Sequence, residues 1–184
     1  MAPVTSTSAL LRYAAAPDRP WRNGRGTARD LHDGDGWTLA VATVAAAGPF
    51  SDHTGWDRTF VVADGEVELT VEGTTTRLGR GALATFPGKA AVAAVPLAGA
   101  ARAVNVMTRR GECAATVHVE HLHGPTPSAT ALVLLHGGLR AGGEDLAPLD
   151  ALLPVAAGAG ECRDALVVVV RVEATPVGSL GGPA

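Results

Sequence analysis

The stretch GPFSDHTGWDRTFVVADGEVEL, residues 48–69, decides how the rest of the chain is interpreted. It begins at a Gly-Pro corner, crosses a short polar segment and enters an apolar run just after Arg58. Asp64 and Gly65 then form a turn pair, beyond which apolar residues alternate with glutamates. This period-two pattern after Asp-Gly predicts a β-hairpin. The hairpin would place Arg58 where a strand leaves a polar loop for an apolar interior, and we expect the binding site there.

The bulk composition indicates a β-rich protein. The chain has 184 residues, of which 47% are hydrophobic but only 4% aromatic, and it contains 23 glycines and 12 prolines. That length is enough for one compact β-domain or for two small fused halves. The formal net charge is -3, and no run of basic residues is longer than Arg109-Arg110. We therefore expect neither a nucleic acid nor a membrane as a partner.

Targeting signals and cysteine motifs are not evident. No apolar run reaches about 18 residues, and the N-terminus lacks the pattern of a secretory signal, so we expect a soluble cytoplasmic protein. Cys113 and Cys162 are far apart and have no Cys-x-x-Cys spacing, which argues against a zinc knuckle or a redox motif. A disulfide between them stays open at this point.

Short strand patterns recur along the chain. Residues 37–44 alternate in a way that suits a strand buried on both faces, and similar segments follow at intervals of about ten residues without a dividing linker. Such spacing predicts a sandwich or a barrel. Pro148 and Pro154 argue against a long helix near the end of the chain. The Gly/Pro-rich residues 174–184 are predicted to form a disordered tail.

The spacing between Gly48 and Gly65 resembles the first metal motif of the cupins, but the ligands differ. A cupin carries an acidic ligand seven residues before the second glycine, and this chain has Arg58 there. A guanidinium cannot ligate a metal. Only His53 lies near the expected histidine pair, and no histidine follows residues 86–88. We therefore predict neither a metal nor a cofactor in this half.

The residues that replace the metal ligands suit a small anion. Arg58 offers a planar fork that matches a carboxylate, while Asn23 and Asn105 offer amides that both donate and accept. In the alternative interpretation, Arg58 forms a structural salt bridge with Asp30 or Asp57, and the asparagines cap turns. Side chains that could wall the pocket are Trp21, Phe50, Phe86 and Met107.

A second histidine-containing segment leaves an enzymatic alternative open. Strand alternation places His121 and His123 on one face, and two histidines at this spacing can bind a metal. No third ligand has an evident spacing, so a solvated strand end is the simpler interpretation. The chain also lacks a Gly-x-Ser-x-Gly elbow, and no nucleophile has a recognisable base. No catalytic residue is predicted.

Five motifs carry a resemblance to a known family. They are PWRNGRGT at 20–27, GPFS at 48–51, GWDR at 55–58, FPG at 86–88 and NVMTRRG at 105–111. In order and approximate spacing they resemble the HutD/Ves family, and a weaker match continues to about Val172.

The resemblance implies a fold and a pocket. The fold would be an all-β bicupin of two RmlC-like jelly-roll halves, with residues 10–111 as the first half and 112–173 as the second, and without metal ligands. Arg25, His53 and Lys89 depart from the family pattern and add positive or titratable character, so the ligand can differ from that of the family. Motif by motif, the implied pocket residues are Trp21, Asn23, Phe50, Ser51, Arg58, Phe86, Asn105 and Met107.

The resemblance also implies a function linked to histidine utilisation. The family is thought to bind a small pathway acid, such as formylglutamate or urocanate, and to moderate flux or expression. We therefore expect a non-catalytic binding protein for a small anionic metabolite, and a homodimer is left open. The alternatives are a metal-dependent cupin enzyme that uses His121 and His123, and a protein-binding regulator whose pocket is vestigial.

Overall fold

The computed structural model describes residues 8–21 and 23–175, which form an all-β protein. Apart from a short 3-10 helix at Tyr13–Ala15, the regular elements of this part are strands. This part contains no helix that is long and apolar enough to span a membrane. The strands are β1 (Ala9–Leu11), β2 (Asp18–Pro20), β3 (Gly26–Gly34), β4 (Trp37–Val44), β5 (Gly48–Pro49), β6 (Trp56–Asp64), β7 (Val67–Val71), β8 (Thr74–Leu78), β9 (Leu83–Pro87), β10 (Val92–Pro96), β11 (Ala101–Arg109), β12 (Cys113–Pro125), β13 (Ala131–Ala141), β14 (Glu144–Asp145), β15 (Ala151–Leu153) and β16 (Gly160–Ala174).

Strands β2 to β11 build two sheets. The larger has the order β2-β3-β4-β11-β6-β9, and the smaller has the order β5-β10-β7-β8. The two sheets share one apolar core, in which Phe60 and Val62 of β6 meet Val67 and Leu69 of β7. Because the strands are pleated, only alternate residues of β6 enter this core.

The predicted hairpin at Asp64–Gly65 is wrong. Strand β6 pairs with β11 and β9, whereas β7 pairs with β10 and β8. The turn therefore carries the chain from one sheet to the other. Gly65 has a φ of 79°, and a Cβ there would lie 3.1 Å from the Cα of Ala101. An Asp-Gly pair specifies the local turn but not the strand with which the next segment pairs. That partner depends on how the apolar faces of the two sheets are buried against each other.

Two-residue hairpins do occur elsewhere. Asp35–Gly36 joins β3 to β4, and Glu72–Gly73 joins β7 to β8, with antiparallel pairing on both sides of each turn. All four residues have a positive φ, as a type I′ turn requires. In the larger sheet, the pairing of β3 with β4 therefore follows from a local turn sequence.

The remaining strands form a third sheet with the order β1-β15-β13-β16-β12, to which β14 adds by pairing with β13. Strand β1 belongs here because Leu10 pairs with Leu152. The predicted first half, residues 10–111, is therefore wrong at its N-terminal end, because β1 belongs to the third sheet. The reason is a long-range contact: the buried Asp150 accepts hydrogen bonds from Arg12 Nη1 at 2.7 Å and from the Tyr13 amide at 2.9 Å.

The third sheet packs on one face of the larger sheet. Val61 and Val104 from the larger sheet meet Val133 and Val168 from the third. On β11, Val104 and its neighbour at i+2 enter this core, while Asn105 belongs to the opposite face, as the sequence pattern predicted. That opposite face is free to form a site.

The fold expectation is confirmed only at the level of class. The chain is all-β, but its sheets do not close into two barrels. Cys113 and Cys162 are buried in different cores and are free thiols, so the question of a disulfide is answered. Of the predicted disordered tail, Ala174 ends β16, and residues 176–184 lie outside the described residues.

Candidate functional site

A cleft of about 780 Å³ opens on the face of the larger sheet that points away from the third sheet. Its floor comes from β3, β4, β11 and β6, and its rim comes from β2 and from the loop before β6. The lining residues are Arg19, Pro20, Trp21, Ala28, Asp30, Asp33, Thr38, Ala40, Ala42, Phe50, Ser51, Asp52, His53, Trp56, Arg58, Asn105, Met107 and Arg109.

Strand register explains why these side chains meet. On β11, Met107 lies between Arg58 of β6 and Thr38 of β4, and Asn105 pairs with Ala40. Every second residue of a strand points to the same face, so all of them face the cleft. The β4 residues at this face are small, which leaves open space over the middle of the sheet.

Arg58 is a buried cation at the end of this floor. The residue is only 8% exposed, and its Nε donates to Asn105 Oδ1 at 2.8 Å. Its guanidinium carbon lies 4.5 Å from the centroid of the Phe50 ring and 5.9 Å from that of Phe86. Burial lowers the pKa of Arg58 to about 10. Arg58 therefore remains charged at neutral pH.

The proposed structural salt bridge of Arg58 is wrong. Asp30 accepts two hydrogen bonds from Arg19, at 3.1 and 2.9 Å, and Asp57 pairs with Arg110. Within residues 8–21 and 23–175, no carboxylate pairs with Arg58, and its Nη1 and Nη2 atoms have no hydrogen-bond acceptor. The cleft thus holds a cation whose charge no neighbouring side chain cancels.

Most of the predicted pocket residues meet at this cleft, but two do not line it. Asn23 is exposed: its Nδ2 donates to the carbonyl of Pro49 at 3.2 Å, and its Oδ1 accepts the amide of Arg25 at 3.0 Å. It stabilises the loop, as the turn-capping alternative stated. Phe86 is 5% exposed and lies in the core beside Arg58. The predicted residues that do line the cleft are Trp21, Phe50, Ser51, Arg58, Asn105 and Met107.

Several lining residues were absent from the predicted set. Trp56 and Arg109 lie two residues from Arg58 and Met107 on their strands, so strand alternation could have found them. The Arg109 guanidinium lies 5.1 Å from the Trp56 ring centroid. Asp33 lines the cleft only because an irregularity in β3 between Asp30 and residue 32 shifts the strand alternation. No sequence pattern predicts this irregularity.

The two histidines of the metal alternative lie away from the cleft, on β12. His121 Nδ1 is 3.9 Å from Asp164 Oδ1, and His123 Nδ1 accepts the amide hydrogen of Asp164 at 3.4 Å. In the described part of the chain, no group of three or more histidine, cysteine, aspartate or glutamate residues is arranged to hold a metal. His121 and His123 therefore lack the further ligand that this alternative requires.

The sequence matches a family model over most of its length. The HutD model aligns with residues 13–164. The chain belongs to the HutD family. A curated relative is an uncharacterized 21.2 kDa protein of Pseudomonas putida from the hutC 3′ region, 34% identical over 108 residues, or 53% of this chain and 56% of that protein. The chain thus spans little more than half the length of the curated relative that it matches.

Solved structures agree with the fold. A conserved protein of unknown function from Pseudomonas aeruginosa PAO1 is 24% identical and has a TM-score of 0.77, with 91% of this chain and 99% of that chain covered. HutD from Pseudomonas fluorescens SBW25, solved in a formate condition, is 20% identical and has a TM-score of 0.76 with the same coverage. These similarities support the fold of the HutD family.

Proposed function

We propose that this protein binds a small carboxylate or formyl compound in the cleft without transforming it. The ligand class includes formylglutamate and urocanate, the acids that the family resemblance implies. Arg58 anchors the ligand, and Asn105 orients Arg58. The role of the complex is to regulate histidine utilisation in the cytoplasm.

The observation that carries this proposal is the state of Arg58. A buried cation is costly unless a partner compensates it. Arg58 is 8% exposed and lines an open cleft, and its one side-chain hydrogen bond within the described residues goes to a neutral amide. A carboxylate in the cleft would supply the missing charge and would accept two parallel hydrogen bonds from the guanidinium.

Asn105 supports the proposal because it accepts a hydrogen bond from the buried guanidinium of Arg58 without neutralising its charge. The Asn105 Oδ1 atom holds Nε, so the guanidinium plane has a defined orientation. The rings of Phe50 and Phe86 restrict it further. A pre-oriented fork loses less entropy when it binds a carboxylate.

The connection to histidine utilisation rests on relatives. The Pseudomonas putida relative is named for the hutC 3′ region, and a solved structure of the same fold is called HutD. The bicupin description is part of the same proposal: the third sheet, which has an apolar cluster of β13 and β16 residues, would be the second half.

Calorimetry with formylglutamate, urocanate and formate tests the anchor. The Arg58→Gln variant should bind at least one of these anions about 10- to 100-fold more weakly than the wild type, since the loss of even one charged hydrogen bond costs about 1.5–3 kcal/mol. Arg110→Gln removes an exposed arginine that is paired with Asp57, and it should leave affinity unchanged.

A second variant separates charge from shape. Asn105→Asp keeps the size of the side chain but adds a carboxylate at the atom that already binds Arg58 Nε. This internal anion should compete with the ligand and weaken binding by a similar factor. Unchanged affinity in Arg58→Gln, or no binding of any of the three anions by the wild type, would overturn the proposed function.

A further inference from the structure

His53 is a lining residue of the cleft whose position the neighbouring loop determines. Its amide donates to the carbonyl of Gly88 at 2.9 Å, and its own carbonyl accepts the amide of Trp56 at 3.1 Å. A Cβ at Gly88 would lie 2.3 Å from the His53 carbonyl oxygen, so this close approach requires glycine. The backbone of His53 is thus held between Gly88, which follows β9, and Trp56 at the start of β6.

Burial and the surrounding charges together favour the neutral form of His53 in the free protein. Its pKa is lowered mainly by burial and then by the charge of Arg58, with a smaller contribution from Arg19. Asp52, on the same loop, opposes this shift. Lys89 follows Gly88 in the sequence but is not among the charges that shift this pKa. The free cleft therefore combines a permanent cation with an imidazole that is neutral at pH 7.

An anion in the cleft changes this balance. A carboxylate on Arg58 cancels the positive charge that discourages a proton on His53, and it adds a negative charge to the same cavity. The imidazole can then take a proton from solvent and face the anion as a second cation.

We propose that His53 is a second contact for the anion and that the cleft binds a carboxylate together with one proton. This inference rests on the proposed function and adds to it a ligand preference, because an anion long enough to span Arg58 and His53 gains two charged contacts. The proton comes from the solvent and resides on the His53 imidazole, and no covalent bond forms.

The sign of the pH dependence follows. Protonated His53 is favoured by the bound state, so affinity is highest at low pH. It falls as the pH rises from the free-state pKa of His53, which lies below the ordinary value of 6.5, to the higher bound-state pKa. One linked proton changes the dissociation constant by at most about tenfold per pH unit. Formate and formylglutamate remain ionised above about pH 5.5 and do not contribute to this change.

Calorimetry at pH 6 in buffers of different ionisation enthalpy measures the proton directly. With formate and formylglutamate as probes, wild type should take up a fraction of one proton per ligand. His136→Gln, which alters an exposed histidine on β13, should behave like the wild type. His53→Gln should take up none and should lose the dependence of affinity on pH.

A spectroscopic titration in the wild type keeps the test independent of the variant's folding. The NMR signals of the His53 imidazole should titrate below the ordinary pKa in the free protein and at a higher pH with saturating formate. The Arg58→Gln variant without ligand should also raise the pKa of His53.

The outcomes separate the two proposals. Binding without proton uptake, or uptake that persists in His53→Gln, overturns the role of His53 and leaves the Arg58 anchor intact. An unchanged His53 titration with formate bound has the same meaning. If none of formate, formylglutamate and urocanate binds the wild type at any pH, the proposed function fails and this inference fails with it.

Discussion

Arg58 on β6 and Asn105 on β11 form a hydrogen-bonded pair of 2.8 Å in which both residues are at least nine-tenths buried. The amide satisfies one nitrogen of the guanidinium and leaves its charge uncancelled. The pair therefore holds a cation in a fixed orientation beside an open cleft. Because Arg58 is charged and Asn105 is not, we expect the removal of Arg58 and the removal of Asn105 to have different effects on stability and on binding.

A double-mutant cycle tests this pair. Asn105→Leu leaves Arg58 Nε buried without an acceptor, so we expect the free energy of unfolding to fall by about 1–3 kcal/mol. The double variant Arg58→Met/Asn105→Leu replaces both polar groups and should recover most of that loss. Urea denaturation measures the coupling, which should be about 0.5–3 kcal/mol. Strictly additive losses would show that the two residues do not act as a pair.

Gly88 should be sensitive to substitution because of its contacts and not because of its backbone angles. An alanine Cβ there would lie 2.3 Å from the His53 carbonyl oxygen and 2.9 Å from that of Trp56. We expect Gly88→Ala to lower the free energy of unfolding by about 1–3 kcal/mol and to weaken anion binding. Gly79 has no heavy atom within 4 Å of its Cβ position, so Gly79→Ala is the matched control. Equal thermal stability of the two variants would contradict this account.

The buried carboxylate of Asp150 should control the attachment of β1. Its side chain is 3% exposed and accepts hydrogen bonds from Arg12 Nη1, the Tyr13 amide and the Ala147 amide. Asp150→Ala should lower the free energy of unfolding by about 1–3 kcal/mol and speed amide exchange in β1. Glu144→Ala removes the exposed partner of Arg12 and should change stability by less than about 0.5 kcal/mol. Protection of β1 that persists in Asp150→Ala would contradict the prediction.

Asp64 should make a small, pH-dependent contribution to stability. Hydrogen bonds from Arg80 and then Arg102 lower its pKa below the ordinary value of 3.8. A lowered pKa means that the contribution is complete above pH 3.8 and disappears as the pH falls through the folded-state value. Asp64→Asn should therefore cost about 0.2–1 kcal/mol at pH 7, because the pair is exposed, and progressively less as the pH falls below 3.8.

Chemical denaturation across this pH range checks the Asp64 prediction. The difference between wild type and Asp64→Asn should also shrink in 1 M salt, which screens exposed charges. Glu173→Gln, at an exposed position of β16, serves as the control. A difference that does not shrink as the pH falls below 3.8 would contradict an ionic origin.

Local sequence patterns predicted the elements better than their partners. Trp37 to Val44 was expected to be a strand buried on both faces, and β4 has those bounds. The Asp64–Gly65 turn was placed correctly, but its two strands join different sheets. Turn chemistry depends on the φ angles of two residues, whereas strand pairing depends on which faces are buried by residues far away in the chain.

The candidate site shows the same division. The family motifs placed Arg58 and Asn105 in a pocket, and strand alternation assigned Asn105 and Met107 to one face of β11. The motifs also placed Asn23 there, although its side chain bonds the backbone of its own loop and of Pro49. Motif membership does not distinguish a residue that lines a cleft from one that holds its rim.

For Arg58, the sequence alone determined the residue type, its place at the start of an apolar strand and its substitution for an acidic ligand of the cupins. Only the tertiary structure decided that its charge stays uncancelled. The two nearby candidates in the sequence, Asp30 and Asp57, are paired with Arg19 and Arg110 instead. Electrostatic pairing depends on distances across folded strands, and a one-dimensional sequence does not contain those distances.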